Sequence, residues 1–295
     1  MYQQYRAQMF RSYQQARDFC TAYPQALMDI EEWIASVCQK ILWEHYGEFE
    51  RDYNEASYLQ PFWGDYPPDD RGRQPKGDQI PWIEVGEQVV GHRLCRLLAQ
   101  EGLMREAGLP SGADNRFVPQ SPQLKKRTLG LTDSAMVFLD IKSVGPRDDV
   151  ENTVLSPYQV SGNGLWKREE ENLSNAPLLA RGPRAEHLFY PAVSPIYVLS
   201  DGTIAPTVHI FVKPIYRMLS LKKRGETGQP LDRIRVICVP NGLLLCVNPN
   251  YLDGHPGLLF PGKDDKQKAF LKIRCRVSFD HLRDIAPWRV ADLGG

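Results

Sequence analysis

Apolar residues at helical spacing dominate the N-terminal part of the chain. They recur three or four positions apart over two long stretches, which predict helices at residues 2–23 and 26–46. A third helix is predicted at about residues 84–107, because a glycine and a proline follow its last apolar position. Residues 59–81 are dense in proline, glycine and aspartate, and this composition predicts a loop between the helices.

From residue 135 onward the pattern changes to short apolar runs. The run 135–141 has the length and the β-branched and aromatic content of a strand. Further strands are predicted at residues 207–212, 234–239, 243–247 and 270–279, and residues 161–184 are predicted to be a polar loop excursion. The chain is therefore predicted to be of the α/β class, with a central mixed β-sheet flanked by helices.

No linker or internal repeat divides this pattern, so we expect a single domain. Its helical N-terminal part covers about residues 1–107, and its sheet-bearing part covers about residues 108–295. The composition is ordinary for a globular chain, with 42% hydrophobic and 24% charged residues. No apolar run has the length of a membrane span or the pattern of a secretory signal, so we expect a cytoplasmic protein without a membrane partner.

The six cysteines are scattered, without a Cys-x-x-Cys pair, and none of the six histidines has a partner at metal-ligand spacing. We therefore expect free thiols and structural or surface histidines. The Ser-Gly-Asn-Gly run at 161–164 resembles half of a dinucleotide loop, but no strand leads into it, so a simple loop is the better interpretation.

Charge is distributed unevenly, although the net charge is zero. Residues 1–90 hold 8 Lys or Arg against 15 Asp or Glu, so the remainder carries a balance of +7. Within that remainder, residues 213–235 hold seven basic and two acidic side chains, and residues 263–276 hold six and two. A basic half suits a nucleic-acid partner, but such runs also form solvated faces, so charge alone leaves both interpretations open.

The strongest local pattern is Asp140-Ile141-Lys142 at the end of the apolar run 135–141. Side chains alternate along a strand, so Asp140 and Lys142 are predicted to share one face. Charges at the end of a buried strand are costly unless they are paired or used. A structural ion pair is the plainer alternative, and acid-x-Lys alone is a weak pattern, since residues 264–266 match it outside any apolar run.

Phosphodiester hydrolysis is a chemistry that this pair could support. Mg²⁺ in proteins is held by one or two carboxylates, a carbonyl and waters, and Asp140 with the Ile141 carbonyl could supply two ligands. Lys142 could orient the attacking water or stabilise negative charge. A second carboxylate is needed, and both Asp114 and Asp133 precede the strand. Chemistry alone does not choose between them.

A second group of polar residues could read DNA bases. Lys263 and Asp265 lie in a Pro-Gly turn, and Arg274 and Arg276 share one face of the strand that follows. Lys and Arg donate to guanine, and a carboxylate accepts from cytosine, so this mixture suits G·C pairs. Basic edge strands with acidic turns are also common on surfaces that bind nothing.

Eight segments in consistent order resemble the BglI family of type II restriction endonucleases, within the PD-(D/E)xK nuclease superfamily. The N-terminal fifty residues and the C-terminal tail match less clearly. The segments are Asp-Tyr-Asn-Glu-Ala-Ser (52–57), Pro-Phe-Trp (61–63), Gly-Asp-Gln-Ile-Pro-Trp-Ile-Glu-Val-Gly-Glu (77–87), Asp-Ile-Lys-Ser-Val-Gly-Pro-Arg-Asp (140–148), Gln-Val-Ser-Gly-Asn-Gly (159–164), Leu-Ser-Asp-Gly-Thr-Ile-Ala-Pro (199–206), Lys-Pro-Ile-Tyr (213–216) and Pro-Gly-Lys-Asp-Asp (261–265).

The resemblance implies a restriction-endonuclease-like core and a set of site residues. The implied catalytic residues are Asp114, Asp140 and Lys142, with Asp114, Asp140 and the Ile141 carbonyl as metal ligands, which favours Asp114 over Asp133. The superfamily's Pro-Asp pair is not intact, since Pro110 lies four residues before Asp114. The implied DNA-binding residues are Asp148, Lys263, Asp265, Arg274 and Arg276.

The function that the resemblance implies is Mg²⁺-dependent cleavage of double-stranded DNA by a homodimer. The implied target is a palindrome with GCC and GGC arms around five unread base pairs, cut to 5′-phosphate and 3′-hydroxyl ends, and a cognate DNA methyltransferase is implied in the host. Two alternatives remain open. One is a repair or recombination nuclease of the same superfamily, and the other is a DNA-binding protein that does not cleave.

Overall fold

A mixed β-sheet forms the framework of the computed structural model, and helices from the N-terminal part cover one face of the sheet. The structure describes residues 2–57, 86–100, 104–108, 115–145, 149–165, 167–169, 172–174, 176–217, 230–262 and 273–294. Asp114, Asp148, Lys263 and Asp265, all of them predicted site residues, lie outside this described part.

The two predicted N-terminal helices are confirmed, with ends within two residues of the predicted ones. The longer helical elements are α1 (Tyr2–Ala22), α2 (Pro24–Glu44), α3 (Tyr46–Ser57), a π-helical segment (Gly86–Gly91) that leads into α4 (His92–Gln100), and α5 (Pro122–Arg127). Shorter helices follow in the sheet-bearing part, namely α6 (Gly242–Cys246), α7 (Tyr251–Gly254) and α8 (Phe279–Ile285), with 3₁₀ turns at Pro157–Gln159 and Pro287–Arg289.

The main sheet of the described residues has the strand order β1-β2-β3-β10-β11-β14, with β9 paired to β10. Its strands are β1 (Met104–Glu106), β2 (Asn115–Pro119), β3 (Met136–Ile141), β9 (Ile196–Val198), β10 (Ile204–Tyr216), β11 (Leu231–Val239) and β14 (Val290–Leu293). Strands β3 and β10 are parallel, whereas the other neighbours are antiparallel. The predicted mixed sheet and α/β class are therefore confirmed.

A smaller sheet of order β12-β13-β4 lies beside the main one. It consists of β12 (Leu259–Pro261), β13 (Cys275–Ser278) and β4 (Asn152–Leu155). Strand β13 falls within the predicted strand 270–279, whose first three residues lie outside the described part. Two hairpins complete the strands, formed by β5 (Lys167–Glu169) with β6 (Asn172–Ser174) and by β7 (Leu178–Arg181) with β8 (Glu186–Phe189).

Two apolar cores lie on opposite faces of the main sheet. Alternate residues of β3 and β10 pack against α2, α3 and α4 in the first core, which contains Val137, Leu139, Ile141, Val208, Ile210 and Val212. On the other face, Phe211 of β10 joins a core with buried residues of β4, β13 and the start of α8. The helices thus cover one face, and the smaller sheet packs over the other.

Three of the predicted elements are wrong. Residues 243–247 form most of helix α6 rather than a strand, because the Asn241 side chain accepts from the Leu243 amide at 3.0 Å and caps a helix. The predicted helix 84–107 ends at Gln100, and Met104–Glu106 forms β1 by pairing with β2. The predicted loop 161–184 contains three short strands of the two hairpins.

All six cysteines are free thiols, as predicted. In the part of the chain that the structure describes, no helix is both long and apolar enough to cross a bilayer. The same residues contain no group of three or more His, Cys, Asp and Glu side chains that could hold a metal ion.

Candidate active site

Asp140 and Lys142 lie together at the end of the buried strand β3. Both residues point away from the helix-covered face, since Leu139 and Ile141 fill the first core, as the strand alternation predicts. Lys142 Nζ lies 2.7 Å from Asp140 Oδ2. The Asp140 side chain is 2% exposed and that of Lys142 is 34% exposed, so the ammonium group reaches solvent while the carboxylate is enclosed.

Gln159 is a member of this site that sequence reasoning missed. Its Nε2 donates to Asp140 Oδ1 at 2.7 Å, and its Oε1 accepts from the Ser156 amide at 2.9 Å. The 3₁₀ turn Pro157–Gln159, capped by Ser156, therefore holds the amide against the carboxylate. Gln159 lies in the segment 159–164 that carries part of the family resemblance, and this was the available clue, but its contact with Asp140 depends on tertiary structure.

The two candidate first carboxylates relate differently to Asp140. Asp133 lies before the other end of β3, where Ser134 bridges to Gln120. The extended backbone from there to Asp140 spans on the order of 20 Å, so the structure does not bring Asp133 and Asp140 together. Asp114 precedes Asn115, the first residue of β2, and Asn115 pairs with Leu139 next to Asp140.

Two of the residues predicted to read bases, Arg274 and Arg276, lie in the described part. Arg274 directly precedes β13, and Arg276 is part of it. Cys275 and Val277 fill the second core, so Arg274 and Arg276 point to the opposite side, as predicted. Arg274 is exposed and Arg276 is partly buried. Arg276 Nη1 lies 3.4 Å from Asn152 Oδ1 and 3.6 Å from Asp149 Oδ2, so its guanidinium is held against the start of β4.

One small cavity connects the two groups of residues. It has a volume of about 230 Å³, and its walls include Lys142, Lys213, Arg276, Asp149 and Asn152. The strand that carries the acidic and basic pair and the strand that carries Arg276 therefore face a common cleft. Of the predicted site residues that the structure describes, Lys142 and Arg276 line this cleft and Asp140 contacts Lys142, whereas Asp133 lies apart.

The ends of the basic run 213–235 do not form a solvated face. Lys213 and Arg235 are 1% and 2% exposed, and they face each other across β10 and β11. Arg235 makes two bonds to the Asp292 carboxylate, at 2.6 and 2.8 Å. Burial alone would raise the pKa of Asp292, but the hydrogen bonds and charge of Arg235 outweigh it and lower that pKa. Residues 218–229 lie outside the described part.

The family model of the restriction endonuclease BglI matches residues 8–293. The chain belongs to this family. It is 48% identical over 291 residues to the type II restriction enzyme BglI of Bacillus subtilis, with 97% of each chain covered. The resemblance found in the sequence is therefore confirmed, and the chain is a type II restriction enzyme.

Two solved structures resemble the fold. The crystal structure of BglI bound to its DNA recognition sequence has a TM-score of 0.88 and 47% identity, and the match covers 100% of this chain and 99% of that one. The tetrameric restriction endonuclease SfiI bound to cognate DNA has a TM-score of 0.62 and 17% identity, over 91% of this chain and 84% of that one. The SfiI match bears on the fold alone.

Proposed function

We propose that this member of the BglI family hydrolyses both strands of double-stranded DNA at an interrupted G·C-rich palindrome, with Mg²⁺ as the cofactor. The main support for the proposal is that Lys142, 2.7 Å from the buried Asp140 carboxylate, lines the same cleft as Arg276. The proposal also fits the DNA-bound crystal structure of BglI, to which the chain is similar over its full length.

Asp140, the Ile141 carbonyl and Asp114 are the proposed metal ligands. The Lys142 amide donates to Val212 of β10, and the oxygen and hydrogen of a trans peptide point in opposite directions. The Ile141 carbonyl is therefore directed to the other side, where β2 pairs with β3. Asp114 directly precedes Asn115, the first residue of β2. These hard oxygen donors suit Mg²⁺.

A bound Mg²⁺ would polarise a phosphoryl oxygen and activate a water for in-line attack, leaving 5′-phosphate and 3′-hydroxyl ends. Lys142, with its partly exposed ammonium group, would stabilise negative charge on the phosphorus centre or orient the water. Gln159 holds Asp140 Oδ1 at 2.7 Å and so restricts the carboxylate to one orientation.

Base reading is proposed for Lys263, Asp265, Arg274 and Arg276, with Asp148 as a further acceptor for cytosine. The support from the described residues is that Arg274 and Arg276 share the side of β13 that faces away from the core. Two copies related by two-fold symmetry would read GCC and GGC arms around five unread base pairs. We therefore propose a homodimer that acts in the host cytoplasm beside a cognate methyltransferase.

We further propose that the helical and sheet-bearing parts act as one endonuclease domain. Residues of α2, α3, α4, β3, β10 and β11 belong to one continuous apolar core, so the helical part buries its apolar face against the catalytic sheet.

A digest of a sequenced plasmid in Mg²⁺ tests the proposal. The expected result is a discrete set of fragments whose ends map inside GCC(N)₅GGC sites and carry 5′-phosphates. Random nicks would instead favour the repair or recombination nuclease. Intact DNA with a retarded band on a gel would favour a protein that binds without cleaving.

A further inference from the structure

Two buried cations lie side by side between the main sheet and the smaller sheet. Lys213 of β10 pairs with Arg235 of β11, and both point to the face that carries Asp140 rather than to the helices. Only 1% of Lys213 and 2% of Arg235 is exposed. These two residues are called the anchor pair below.

The anchor pair binds the backbone that leads into β4. Lys213 Nζ donates to the Asn152 carbonyl at 2.6 Å and to the Asp149 carbonyl at 3.3 Å. Arg235 Nη1 donates to the Val150 carbonyl and to Glu151 Oε1, both at 2.9 Å. All four residues from 149 to 152 therefore accept a hydrogen bond from a buried cation. Two of them, Asp149 and Asn152, also hold Arg276 through their side chains.

The anchor pair also contacts Phe279, the first residue of α8, which follows the proposed base-reading strand β13. Lys213 Nζ lies 4.9 Å and the Arg235 guanidinium 5.6 Å from the centre of the Phe279 ring, within the range of cation–π attraction. Phe279 directly follows β13, and its amide donates to the Glu151 carbonyl at 3.0 Å. The cations thus contact β4, which pairs with β13, and the residue that directly follows β13.

The backbone on both sides of Lys213 is hydrogen-bonded to the segment that follows β3, the strand of Asp140. The Lys142 amide donates to the Val212 carbonyl at 2.9 Å, and the Val144 amide donates to the Pro214 carbonyl at 3.0 Å. Lys213 lies between these two acceptors on β10. Lys142 is therefore linked to Arg276 in three steps. The Lys142 amide bonds to Val212, the neighbouring Lys213 side chain bonds to the Asn152 carbonyl, and the Asn152 side chain bonds to Arg276.

We propose that Lys213, together with Arg235, is a positioning residue that fixes the base-reading strand relative to the catalytic strand, so that correct base contacts hold Lys142 and Asp140 in cutting geometry. Stability alone is a poor reason for this arrangement, because burying an ammonium group is costly and an apolar side chain of similar length would fill the space. Four directed hydrogen bonds to one segment specify its position, which apolar packing does less well.

This inference rests on the proposed function, so the wild-type enzyme is tested first. If it fails to cut GCC(N)₅GGC sites in Mg²⁺, the proposed function fails, whatever the anchor pair does. If it cuts there, Lys213→Met is compared with Ile210→Val, a core change on the same strand that touches neither residues 149–152 nor the cleft. Folding is checked by thermal unfolding, and active sites are counted by DNA titration in Ca²⁺.

The expected result is a split between binding and cleavage. Lys213→Met should bind cognate DNA in Ca²⁺ within a few-fold of wild type. Its single-turnover cleavage rate in Mg²⁺ should fall by roughly 10- to 100-fold, the effect of a small misplacement of catalytic groups. Ile210→Val should have the DNA affinity and the cleavage rate of the wild type. If Lys213→Met cleaves at the wild-type rate for each correctly folded dimer, or loses binding and cleavage in equal proportion, the proposal is wrong.

A second measurement does not depend on the variant folding. Amide hydrogen exchange of the wild-type enzyme is followed in Ca²⁺, saturated with cognate DNA or with DNA that carries one changed base in an arm. The proposal expects slower exchange at the Lys142 and Val144 amides with cognate DNA than with the changed DNA. Equal exchange at these two amides would overturn it.

Discussion

Asp140 is held by neighbours at both of its carboxylate oxygens. Gln159 donates to Oδ1 at 2.7 Å, and Lys142 lies 2.7 Å from Oδ2. A buried carboxylate needs such partners, because an unpaired charge away from water is strongly unfavourable. The two contacts restrict the side chain to one orientation, which is what a metal ligand requires before the metal and the DNA arrive.

The first carboxylate of the site is tested by two matched Asn substitutions. Asp114→Asn is expected to inactivate the enzyme, because it removes a charged ligand next to the β2 residue that pairs beside Asp140. Asp133→Asn is expected to leave plasmid cleavage largely unchanged, because its backbone lies on the order of 20 Å away along β3. If Asp114→Asn still cleaves and Asp133→Asn does not, the metal site lies at the other end of β3.

His209 predicts a pH dependence of stability that is independent of catalysis. It is 1% exposed and packs against the Phe138 ring, and burial lowers its pKa from 6.5 to about 3. The folded state excludes the proton that the unfolded chain binds. The contribution of neutral His209 to the free energy of unfolding is therefore complete above about pH 6.5, and it is lost as the pH falls toward 3.

Urea unfolding of wild type and His209→Leu at several pH values measures this effect. Below about pH 6, wild type should lose about 1.4 kcal/mol per pH unit more than the variant. A stability difference that stays constant from pH 7.5 to pH 5 would show that His209 is not kept neutral by burial.

At the level of single residues, contacts between residues close together in the chain could be predicted from the sequence. Asp140 and Lys142 meet because strand alternation places every second side chain on one face. Gln159 was missed because its partner lies 19 residues away along the chain. The burial of Lys213 and Arg235 was missed for the same reason. A run of basic residues predicts an exposed surface, and only the tertiary packing of the two sheets encloses these two side chains.

Strand β13 shows how the alternation of side chains along a strand directs Arg276 away from the core. Its pairing with β4 aligns Arg276 with Val154, and the side chains of Cys275 and Val277 fill the core on the other face. Arg276 is therefore directed into the cleft that Lys142 also lines. An arginine fixed in this way can make two parallel hydrogen bonds to one guanine.

Arg276→Ala is expected to reduce base discrimination more than overall affinity. The loss should be roughly 1 to 3 kcal/mol at one arm position, because one base contact disappears while the phosphate contacts remain. Binding to a panel of single-base variants at several salt concentrations measures it. An equal loss for every variant, with a shallower salt dependence, would mean that Arg276 contacts the backbone instead.

Helices with a clear apolar period and strands with apolar runs were predicted well, and elements decided by tertiary pairing were not. Helices α1 and α2 follow from their apolar spacing, and strands β3 and β10 contain most of the predicted runs 135–141 and 207–212. Helix α6 was predicted as a strand because Leu243, Leu244 and Leu245 are all buried, so their pattern has no period. Strand β1 exists only through its pairing with β2, which no local pattern indicates.

A buried ion pair joins the helices to the sheet-bearing part of the molecule. Glu31 of α2 lies 2.7 Å from the Arg289 guanidinium, and its other oxygen accepts from the Asn241 amide at 2.6 Å. Burial raises the pKa of the Glu31 carboxyl, and Arg289 partly offsets this. Because both groups are almost fully enclosed, each depends on the other to compensate its lost hydration.

Glu31→Ala is therefore expected to destabilise the protein by roughly 3 to 5 kcal/mol, since it leaves the Arg289 charge buried without its partner. The double variant Glu31→Leu with Arg289→Met should recover much of that loss, because it removes both charges. Urea unfolding of the single and double variants measures the difference. A loss in the double variant equal to the sum of the losses of Glu31→Leu and Arg289→Met, each measured singly, would show that the two residues are not energetically coupled.

The whole molecule directs Lys142, after the proposed metal-binding strand β3, and Arg276, on the proposed base-reading strand β13, into one cleft, over a core that helices and sheet share. Cleavage and binding can therefore be separated by a change that removes one metal ligand and leaves β13 untouched. Wild type and Asp140→Ala are compared for cutting of a GCC(N)₅GGC plasmid in Mg²⁺ and for binding of the same site in Ca²⁺. Asp140→Ala is expected to bind the site with near wild-type affinity and not to cut it. An Asp140→Ala enzyme that cuts at a near wild-type rate would contradict this expectation.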